Sequence, residues 1–482
     1  MLVELRVKNC YIFSEEIVFS MKADMTNKKL AANVHRGAGC DVLKTACIYG
    51  PNNVGKTCLI KCFKGLKQIL NNEPTSLNSN IFLDDGTCSL GVTFTDGDRV
   101  FTYDFSYNEE KKEFPKEKFA ELISRKSEDG LQSENGRRNE DGRQSKDIRR
   151  SEDIRQNEDG WKSGDGRQSE DSRRSEGGRQ SEDSRQNEDN GFHEKVYWYR
   201  DTAAGVYEYE DDMLVRMMPI LSRRSLLIHQ VDTSSFPLLD EMKQRILKMA
   251  SEIEVISMVN IPMQKTIDLL KNKNEMQDKV VQFIKNADLD MDSISYVEPE
   301  DIPWKDTYEN GVHSDEEVLD QPDRGFDSMR LVSVYKGVPV PSLLFDSTGT
   351  KKIAALASYI IEALERGQTL IIDELDSGIH FKLTRAMVAM FNNELNQTAQ
   401  MIFSVHDTQL LDCRRLLRPE QIWFIHKDRE GVYVYSLADV DESKNTRQED
   451  VQERYRRGDL GALPNPQLID TLLQMSDAGR TG

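Results

Sequence analysis

The fold is decided by the stretch Gly50-Pro51-Asn52-Asn53-Val54-Gly55-Lys56-Thr57, whose spacing is G-x-x-x-x-G-K-T. Glycines in such a loop allow successive backbone N–H groups to turn toward one point, which suits a chain of phosphates. Lys56 would neutralise the outer phosphate oxygens, and the Thr57 hydroxyl would ligate Mg²⁺. The predicted cofactor-binding residues of this phosphate loop are Gly50, Asn52, Asn53, Gly55, Lys56, Thr57 and Cys58.

The residues on either side of the loop predict a strand followed by a helix. Thr45 to Tyr49 is a short apolar run typical of a buried strand. From Thr57 to Leu70 the apolar residues recur at helical spacing. The loop therefore lies on a strand-to-helix turn, where the helix N-terminus faces the anion.

A second segment, Leu370-Ile371-Ile372-Asp373-Glu374, fits the same site. Its apolar run is typical of a central parallel strand, and it places two carboxylates at the end of the sheet where open α/β folds bind ligands. Asp373 is predicted to hold Mg²⁺ through water, and Glu374 to orient and polarise the attacking water. Alone, the pattern is more typical of a buried strand that ends in a polar turn; beside the phosphate loop, it favours a catalytic role.

Two further pieces lie near the second segment. A Ser347-Thr348-Gly349 turn opens a predicted helix that runs to about Leu364. Such turns present N–H groups and a hydroxyl to an anion, although they commonly only cap helices. Another predicted strand, Met401 to Val405, ends at His406. A histidine in that position is commonly just a hydrogen-bonded residue that closes the strand.

In this order the motifs resemble the ATP-binding-cassette (ABC) ATPases of the recombination-repair and chromosome-maintenance (SMC) type. More closely, they resemble the prokaryotic AAA-type ATPases of abortive-infection and phage-resistance systems, of the RloA and AbiL kind. The resemblance covers residues 1–113 and roughly 193–466. It is carried by Ser347-Thr348-Gly349-Thr350-Lys351-Lys352, by Ile372-Asp373-Glu374-Leu375-Asp376, by Phe403-Ser404-Val405-His406-Asp407-Thr408 and by Gly461-Ala462-Leu463-Pro464.

The resemblance implies that each ATP, with its Mg²⁺, lies between two subunits. Since one chain holds one copy of each motif, it implies a head-to-tail homodimer with two composite sites. Ser347 and Gly349 would contact the γ-phosphate of the partner's nucleotide, and Lys351 would belong to the same cofactor-binding turn. Asp376 would bind at the nucleotide and couple the two sites. His406 would sense the γ-phosphate and so join Lys56 and Glu374 as a catalytic residue.

We therefore expect an α/β fold: an ABC-type P-loop ATPase head with a mixed, mainly parallel central sheet, split by a helical lid and a disordered repeat insertion. The expected regions are an N-terminal ATPase half (1–113), a strand pair carrying the insertion (114–200, insertion 127–192), a helical lid (201–330) and a C-terminal ATPase half (331–482). The start, Met1 to Val7, alternates apolar and charged residues like an edge strand.

The predicted insertion repeats a hexapeptide, as in Asn139-Glu140-Asp141-Gly142-Arg143-Gln144 and Ser181-Glu182-Asp183-Ser184-Arg185-Gln186. A six-residue period builds no apolar stripe on a helix, and a β-solenoid would need a recurrent aliphatic residue that this repeat lacks. The segment cannot bury enough apolar surface to offset the entropy lost on ordering, so we expect it to be disordered.

Composition limits the possible partners and compartments. The formal net charge of −19 gives no electrostatic footprint for bulk DNA binding. Seven cysteines without a C-x-x-C pair favour a reducing cytoplasm. No signal-peptide run opens the sequence, and no stretch approaches the 18 apolar residues that a membrane span requires, so we expect no membrane partner.

Three function classes fit these observations. The preferred one is a dimeric, Mg²⁺-dependent ATPase acting as the sensor or switch of an anti-phage defence system. A separate effector, a TOPRIM-like or other nuclease, would then be its partner, with a nucleic acid or phage component as candidate trigger. The second is an SMC-like DNA-repair ATPase that binds DNA ends. The third is a nucleotide-binding subunit of an ABC transporter, disfavoured by the helical lid and the lack of an L-S-G-G-Q sequence.

Overall fold

The structure is a computed structural model of the chain. It describes residues 1–37, 39–83, 86–124, 192–272, 276–287, 289–298, 330–429, 431–440, 451–463 and 469. The described residues within 1–122 and 194–482 form one compact unit, which holds both predicted halves of the head. The second unit, residues 123–193, has only its first two and last two residues among those described, at the ends of two strands. The predicted insertion, 127–192, therefore lies outside the described residues apart from Phe192.

The strands of the described residues fall into four sheets. In chain order they are β1 (Leu2–Lys8), β2 (Ile17–Ser20), β3 (Val34–His35), β4 (Val42–Leu43), β5 (Thr45–Tyr49), β6 (Thr87–Asp96), β7 (Arg99–Asn108), β8 (Glu113–Ser124), β9 (Phe192–Asp201), β10 (Val206–Tyr209), β11 (Ile253–Ser257), β12 (Ser293–Tyr296), β13 (Leu331–Tyr335), β14 (Val338–Pro341), β15 (Thr369–Asp373), β16 (Gln400–Ser404), β17 (Ile422–Lys427) and β18 (Val432–Ser436).

The α-helices of the described residues are packed around these sheets. They are α1 (Lys56–Leu70), α2 (Asp212–Met217), α3 (Pro237–Glu252), α4 (Gln264–Lys271), α5 (Gln277–Asn286), α6 (Ser342–Phe345), α7 (Thr348–Arg366), α8 (Phe381–Phe391) and α9 (Val451–Arg457). Where the chain is described, no helix combines the length and the hydropathy needed to cross a lipid bilayer.

The central sheet has the order β11-β15-β16-β5-β17-β18. Its first five strands run parallel and only β18 runs antiparallel, so the fold is α/β with a mixed, mainly parallel sheet, as predicted. Every residue of β5, β15 and β16 is buried, as expected of strands covered on both faces. The register pairs Ile372 with Phe403 and Ser404 with Ile48, so these three strands end side by side.

The larger sheet has the order β10-β9-β8-β7-β6-β1-β2 and packs with α1 and α3 around one apolar core. Within it, Phe101 and Trp198 both stack on Phe119, with ring centroids 5.6 and 4.7 Å apart. Strand β1 pairs with β2 on one side and β6 on the other. The prediction of an edge strand for residues 1–7 is therefore wrong. The alternation arises because the half-buried Glu4 and Arg6 lie on one face of the sheet, while both backbone edges of the strand are paired.

The described part of the region predicted as a helical lid, 201–330, also contributes a strand to the central sheet. Strand β11 pairs in parallel with β15, from Ile253 opposite Thr369 to Ser257 opposite Asp373, and so extends the central sheet. Helix α3 packs against α1, while α4 and α5 pack on α7. This region thus contains a strand as well as helices. Strand β11 directly follows α3, and its short apolar run continues the helical pattern of the sequence.

Strand β3 carries a titratable group that connects pH to the stability of the fold. His35 is buried and its Nε2 lies 2.9 Å from the carbonyl oxygen of Ala399, just before β16. Burial lowers the pKa of His35 from 6.5 to about 4. As the pH falls from 6.5 toward 4, the unfolded chain therefore binds a proton at this position that the folded chain does not, and the free energy of unfolding decreases.

We expect His35→Gln to lose less stability on acidification than the wild type does. The difference in the free energy of unfolding between the wild type and the variant should decrease by about 1–3 kcal/mol from pH 7 to pH 4.5. Each unit of pKa shift corresponds to about 1.4 kcal/mol. Urea unfolding at several pH values measures this, and the titration of shared carboxylates cancels in the comparison. Parallel curves for the two proteins would contradict the assignment.

Candidate functional site

The phosphate loop joins β5 to α1, as the sequence predicts. Its backbone is left-handed at Asn53 (φ 63°) and Gly55 (φ 112°), conformations that favour asparagine and glycine. A Cβ added at Gly50 would lie 2.6 Å from the carbonyl oxygen of Ile425, and one at Gly55 would lie 2.4 Å from Ile12 Cδ1. Gly50 and Gly55 thus have no room for a side chain, and this suits close approach of the loop backbone to phosphates.

The other residues of the loop differ in exposure. Asn52, Asn53 and Thr57 are exposed, whereas Cys58 is half-buried on the inner side of α1. Burial raises the pKa of the Cys58 thiol, with Asp373 adding to the effect and Lys61 opposing it. Cys58 is therefore near enough to the second motif for the charge of Asp373 to act on its thiol.

Lys56 connects the two distant motifs electrostatically. Its side chain is buried, and Nζ donates hydrogen bonds to the carbonyl oxygens of Gly50 (2.6 Å) and Pro51 (3.0 Å). Burial lowers the pKa of its ammonium group, and the carboxylates of Asp373, Glu374 and Asp376 act in the opposite direction. The structure thus brings the phosphate-loop lysine and the acidic motif into one site, in agreement with the order of strands in the central sheet.

Both predicted acids are positioned by the neighbouring strand β16. The Ser404 hydroxyl donates to Asp373 Oδ1 (2.6 Å) and accepts from the backbone N–H of Glu374 (2.8 Å). The backbone turns sharply there, because Glu374 has a left-handed φ of 56° and the N–H of Leu375 returns to the Ser404 carbonyl oxygen (3.0 Å). One buried serine therefore fixes the carboxylate of Asp373 and the backbone of Glu374. The sequence pattern alone gives Ser404 no role, although this residue directly precedes the Val405-His406 pair.

We expect Ser404→Ala to lower about tenfold the kcat for the ATP hydrolysis that the sequence motifs predict, with little change in KM. The reason is that Asp373 and Glu374 each lose one hydrogen bond in a buried setting, where such a bond contributes about 1–1.5 kcal/mol. Steady-state phosphate release measures both constants. Ser358→Ala is the matched control, since Ser358 is also buried and hydrogen-bonded but lies within α7. Equal rates for the two variants would contradict the positioning role.

The Ser347 turn caps α7. Ser347 is exposed, and its hydroxyl accepts from the N–H of Thr350 (3.1 Å). Lys351 Nζ donates to the carbonyl oxygen of Leu343 (2.6 Å), and Gly349 lies against the carbonyl oxygen of Gly378. The turn thus contacts the loop that follows the acids, and its serine faces outward from the chain that carries it.

The remaining predicted residues follow the two strands. Asp376 Oδ2 accepts hydrogen bonds from the backbone N–H groups of His406 and Asp407, each at 2.8 Å. The side chain of His406 is exposed. His380 Nδ1 accepts from the N–H of Lys382 (3.3 Å) at the start of α8. Asp376 therefore links the ends of β15 and β16, and His380 caps a helix.

A comparison with known families decides what kind of domain this site belongs to. Residues 46–412, about three quarters of the chain, match the family described as "AAA domain, putative AbiEii toxin, Type IV TA system". The chain belongs to this family. The matched part of the AAA domain begins within β5 and ends after Asp407, so it contains the phosphate loop, the Ser347 turn, both acids and His406. The protein is therefore an AAA-type P-loop ATPase domain.

Solved structures similar to this AAA domain include head domains of SMC proteins. The SMC head domain from Thermotoga maritima is 10% identical, with 90% of this chain and 98% of that chain covered and a TM-score of 0.37. The Smc head domain bound to the C-terminal domain of ScpA, derived from Pyrococcus furiosus, is also 10% identical, with 94% and 99% covered and a TM-score of 0.36. No curated protein matches the AAA domain. At these identities and scores the structural matches give no information about substrates or partners.

Proposed function

We propose that this AAA domain hydrolyses ATP in a Mg²⁺-dependent reaction. The observation that carries the proposal is that the parallel strands β5, β16 and β15 end side by side, which brings the phosphate loop near the acids after β15. The charges of Asp373, Glu374 and Asp376 accordingly act to raise the pKa of Lys56. In the proposed reaction the loop N–H groups and Lys56 stabilise the charge on the phosphates. Glu374 orients and polarises the attacking water, and Ser404 fixes the direction in which its backbone leaves β15.

The oxygen ligands of the site fit Mg²⁺. Thr57 offers a hydroxyl at the start of α1, and Asp373 offers a carboxylate at the end of β15, both of the hard type that this ion prefers. When held by Thr57 and Asp373, Mg²⁺ would supply positive charge that offsets the negative charge of the phosphates during the reaction. Ser404 donates to Oδ1 of Asp373 and so fixes the orientation of that carboxylate.

The site is proposed to be completed by a second copy of the chain. Ser347 is exposed and caps the N-terminus of a 19-residue helix. There, its hydroxyl and the first N–H groups of the helix can donate hydrogen bonds to an anion. In a head-to-tail dimer, Ser347 and Gly349 would reach the γ-phosphate bound by the partner. Lys351 belongs to the same turn, and His406 would approach that phosphate from the end of β16. This arrangement gives two composite ATP sites.

At the level of the cell, we propose that the dimer is the sensor or switch of an anti-phage defence system. Support comes from the family description, which names a toxin of a type IV toxin–antitoxin system. We assign the toxic step to a separate effector, a nuclease of TOPRIM-like or other type, with a nucleic acid or phage component as trigger. The thiols of Cys10, Cys40, Cys47, Cys58, Cys62 and Cys88 are not joined in disulfide bonds, and this supports a reducing cytoplasm as its location.

The first experiment measures phosphate release from ATP by the purified chain, with Mg²⁺ and with EDTA. Size-exclusion chromatography with multi-angle light scattering then gives the mass of the protein with and without ATP. We expect hydrolysis only with Mg²⁺ and an ATP-dependent dimer. Absence of hydrolysis in Mg²⁺ would contradict the proposed activity, and hydrolysis by a strict monomer would contradict the composite site.

A further inference from the structure

The start of α7 touches the loop of residues 376–378 at two points. Lys352 Nζ donates to the carbonyl oxygen of Ser377 (3.0 Å) and to its hydroxyl oxygen (3.2 Å). A Cβ added at Gly349 would lie 2.9 Å from the carbonyl oxygen of Gly378, so this approach of the two backbones requires glycine. The Ser347 turn, which is proposed to bind the partner's nucleotide, is thus in direct contact with the loop that follows Asp373 and Glu374 in its own chain.

The 376–378 loop is also fastened to the acids. The N–H of Ser377 donates to the carbonyl oxygen of Glu374 (2.9 Å). Asp376 is held by the backbone N–H groups of His406 and Asp407. A continuous path of hydrogen bonds therefore runs from Lys352 through Ser377 to the backbone of Glu374, within one chain.

We propose that Lys352 is a positioning residue that couples the Ser347 turn to Glu374 of the same chain. This inference rests on the proposed function, in which the Ser347 turn contacts the nucleotide of the partner. Binding of that nucleotide would move the start of α7, and Lys352 would carry the movement to the 376–378 loop. Glu374 then reaches its working position only when the partner's site is filled. The two ATP sites of the dimer would in this way be coupled, each through its own chain.

Mixed dimers separate this role from simple support of the turn. In the first mixture, Lys352→Met chains are combined with a large excess of Glu374→Gln chains. The only complete acid pair of each mixed dimer then lies in the chain that lacks Lys352. In the second mixture, wild-type chains are combined with an excess of chains carrying both substitutions, so that the complete acid pair lies in a chain with Lys352 intact.

We expect kcat per mixed dimer to be about tenfold lower in the first mixture than in the second, as when one charge-assisted hydrogen bond is lost. If Lys352 only supports the turn that faces the partner's phosphate, the second mixture is the slow one and the inference is wrong. Equal rates also overturn it. Failure of the proposed function is recognised separately, because mixed dimers would then not form in ATP at all.

Two further variants distinguish a specific effect of Lys352→Met from a general loss of stability. Lys352→Arg retains a cation that can donate to Ser377 and should restore most of the rate in the first mixture. Lys279→Met is the matched control: Lys279 also binds α7, through Glu365 at 2.6 Å, but near the far end of the helix. It should leave both mixtures unchanged. Loss of activity with Lys279→Met as well would mean that α7 is only destabilised, and the inference would fall.

Discussion

Replacing Glu374 by glutamine should lower kcat for ATP hydrolysis by a factor on the order of 10²–10⁴ while ATP binding persists. Glutamine keeps the size of the side chain and the backbone hydrogen bond to Ser404, but it cannot polarise water as a carboxylate does. Removing this negative charge also removes one of the three carboxylates that act on Lys56. The variant should therefore bind ATP at least as tightly as the wild type and accumulate in the ATP-bound form.

Accumulation of bound ATP gives this prediction a second readout. With ATP and Mg²⁺, light scattering should show a stable dimer of Glu374→Gln, whereas the wild type returns to monomer as ATP is consumed. Glu394→Gln, an exposed glutamate beyond α8, serves as control and should behave like the wild type. A monomeric Glu374→Gln protein that binds ATP would exclude the composite site. Normal turnover by the variant would exclude Glu374 as the group that activates water.

The parts of the site that could be predicted from sequence are those encoded by neighbouring residues. The strand before the phosphate loop was predicted to its exact ends, Thr45–Tyr49, and the helix after it to within one residue. Both follow from local patterns, since a short apolar run and a 3.6-residue period are visible without any tertiary contact. The same holds for α7, which Ser347 caps as its turn residues suggest.

Features that depend on distant residues could not be predicted in this way. Strand β11 is a five-residue segment directly after α3, and only its pairing with β15 identifies it as a strand. The role of Ser404 depends on the register that places it beside Asp373, and the contact of Lys352 with Ser377 joins a helix to a loop 25 residues away. Short apolar runs and single polar residues have several possible partners in a chain, so tertiary packing decides among them.

Replacing Lys56 by alanine should strongly weaken ATP binding itself, unlike the change at Glu374. Lys56 is buried and donates hydrogen bonds to two backbone carbonyl oxygens. The charges of three carboxylates also act on its ammonium group and favour its protonated form. Without the positive charge of Lys56, the negative charges of those carboxylates and of the ATP phosphates would repel each other. Loss of a buried, hydrogen-bonded charge partner typically costs about 2–5 kcal/mol, which corresponds to a rise in Kd of roughly 30-fold or more. Titration calorimetry with ATP and Mg²⁺ measures this directly.

The comparison with Lys64→Ala shows whether the loss is specific. Lys64 lies two helical turns further along α1 and is exposed, so its removal should leave Kd unchanged. The double variant Lys56→Ala with Glu374→Gln then decides the order of events. If ATP must first be held by Lys56, the double variant stays monomeric in ATP although Glu374→Gln alone dimerises. A dimer of the double variant would mean that the subunits associate without nucleotide, and that the contact between copies is independent of the phosphate loop.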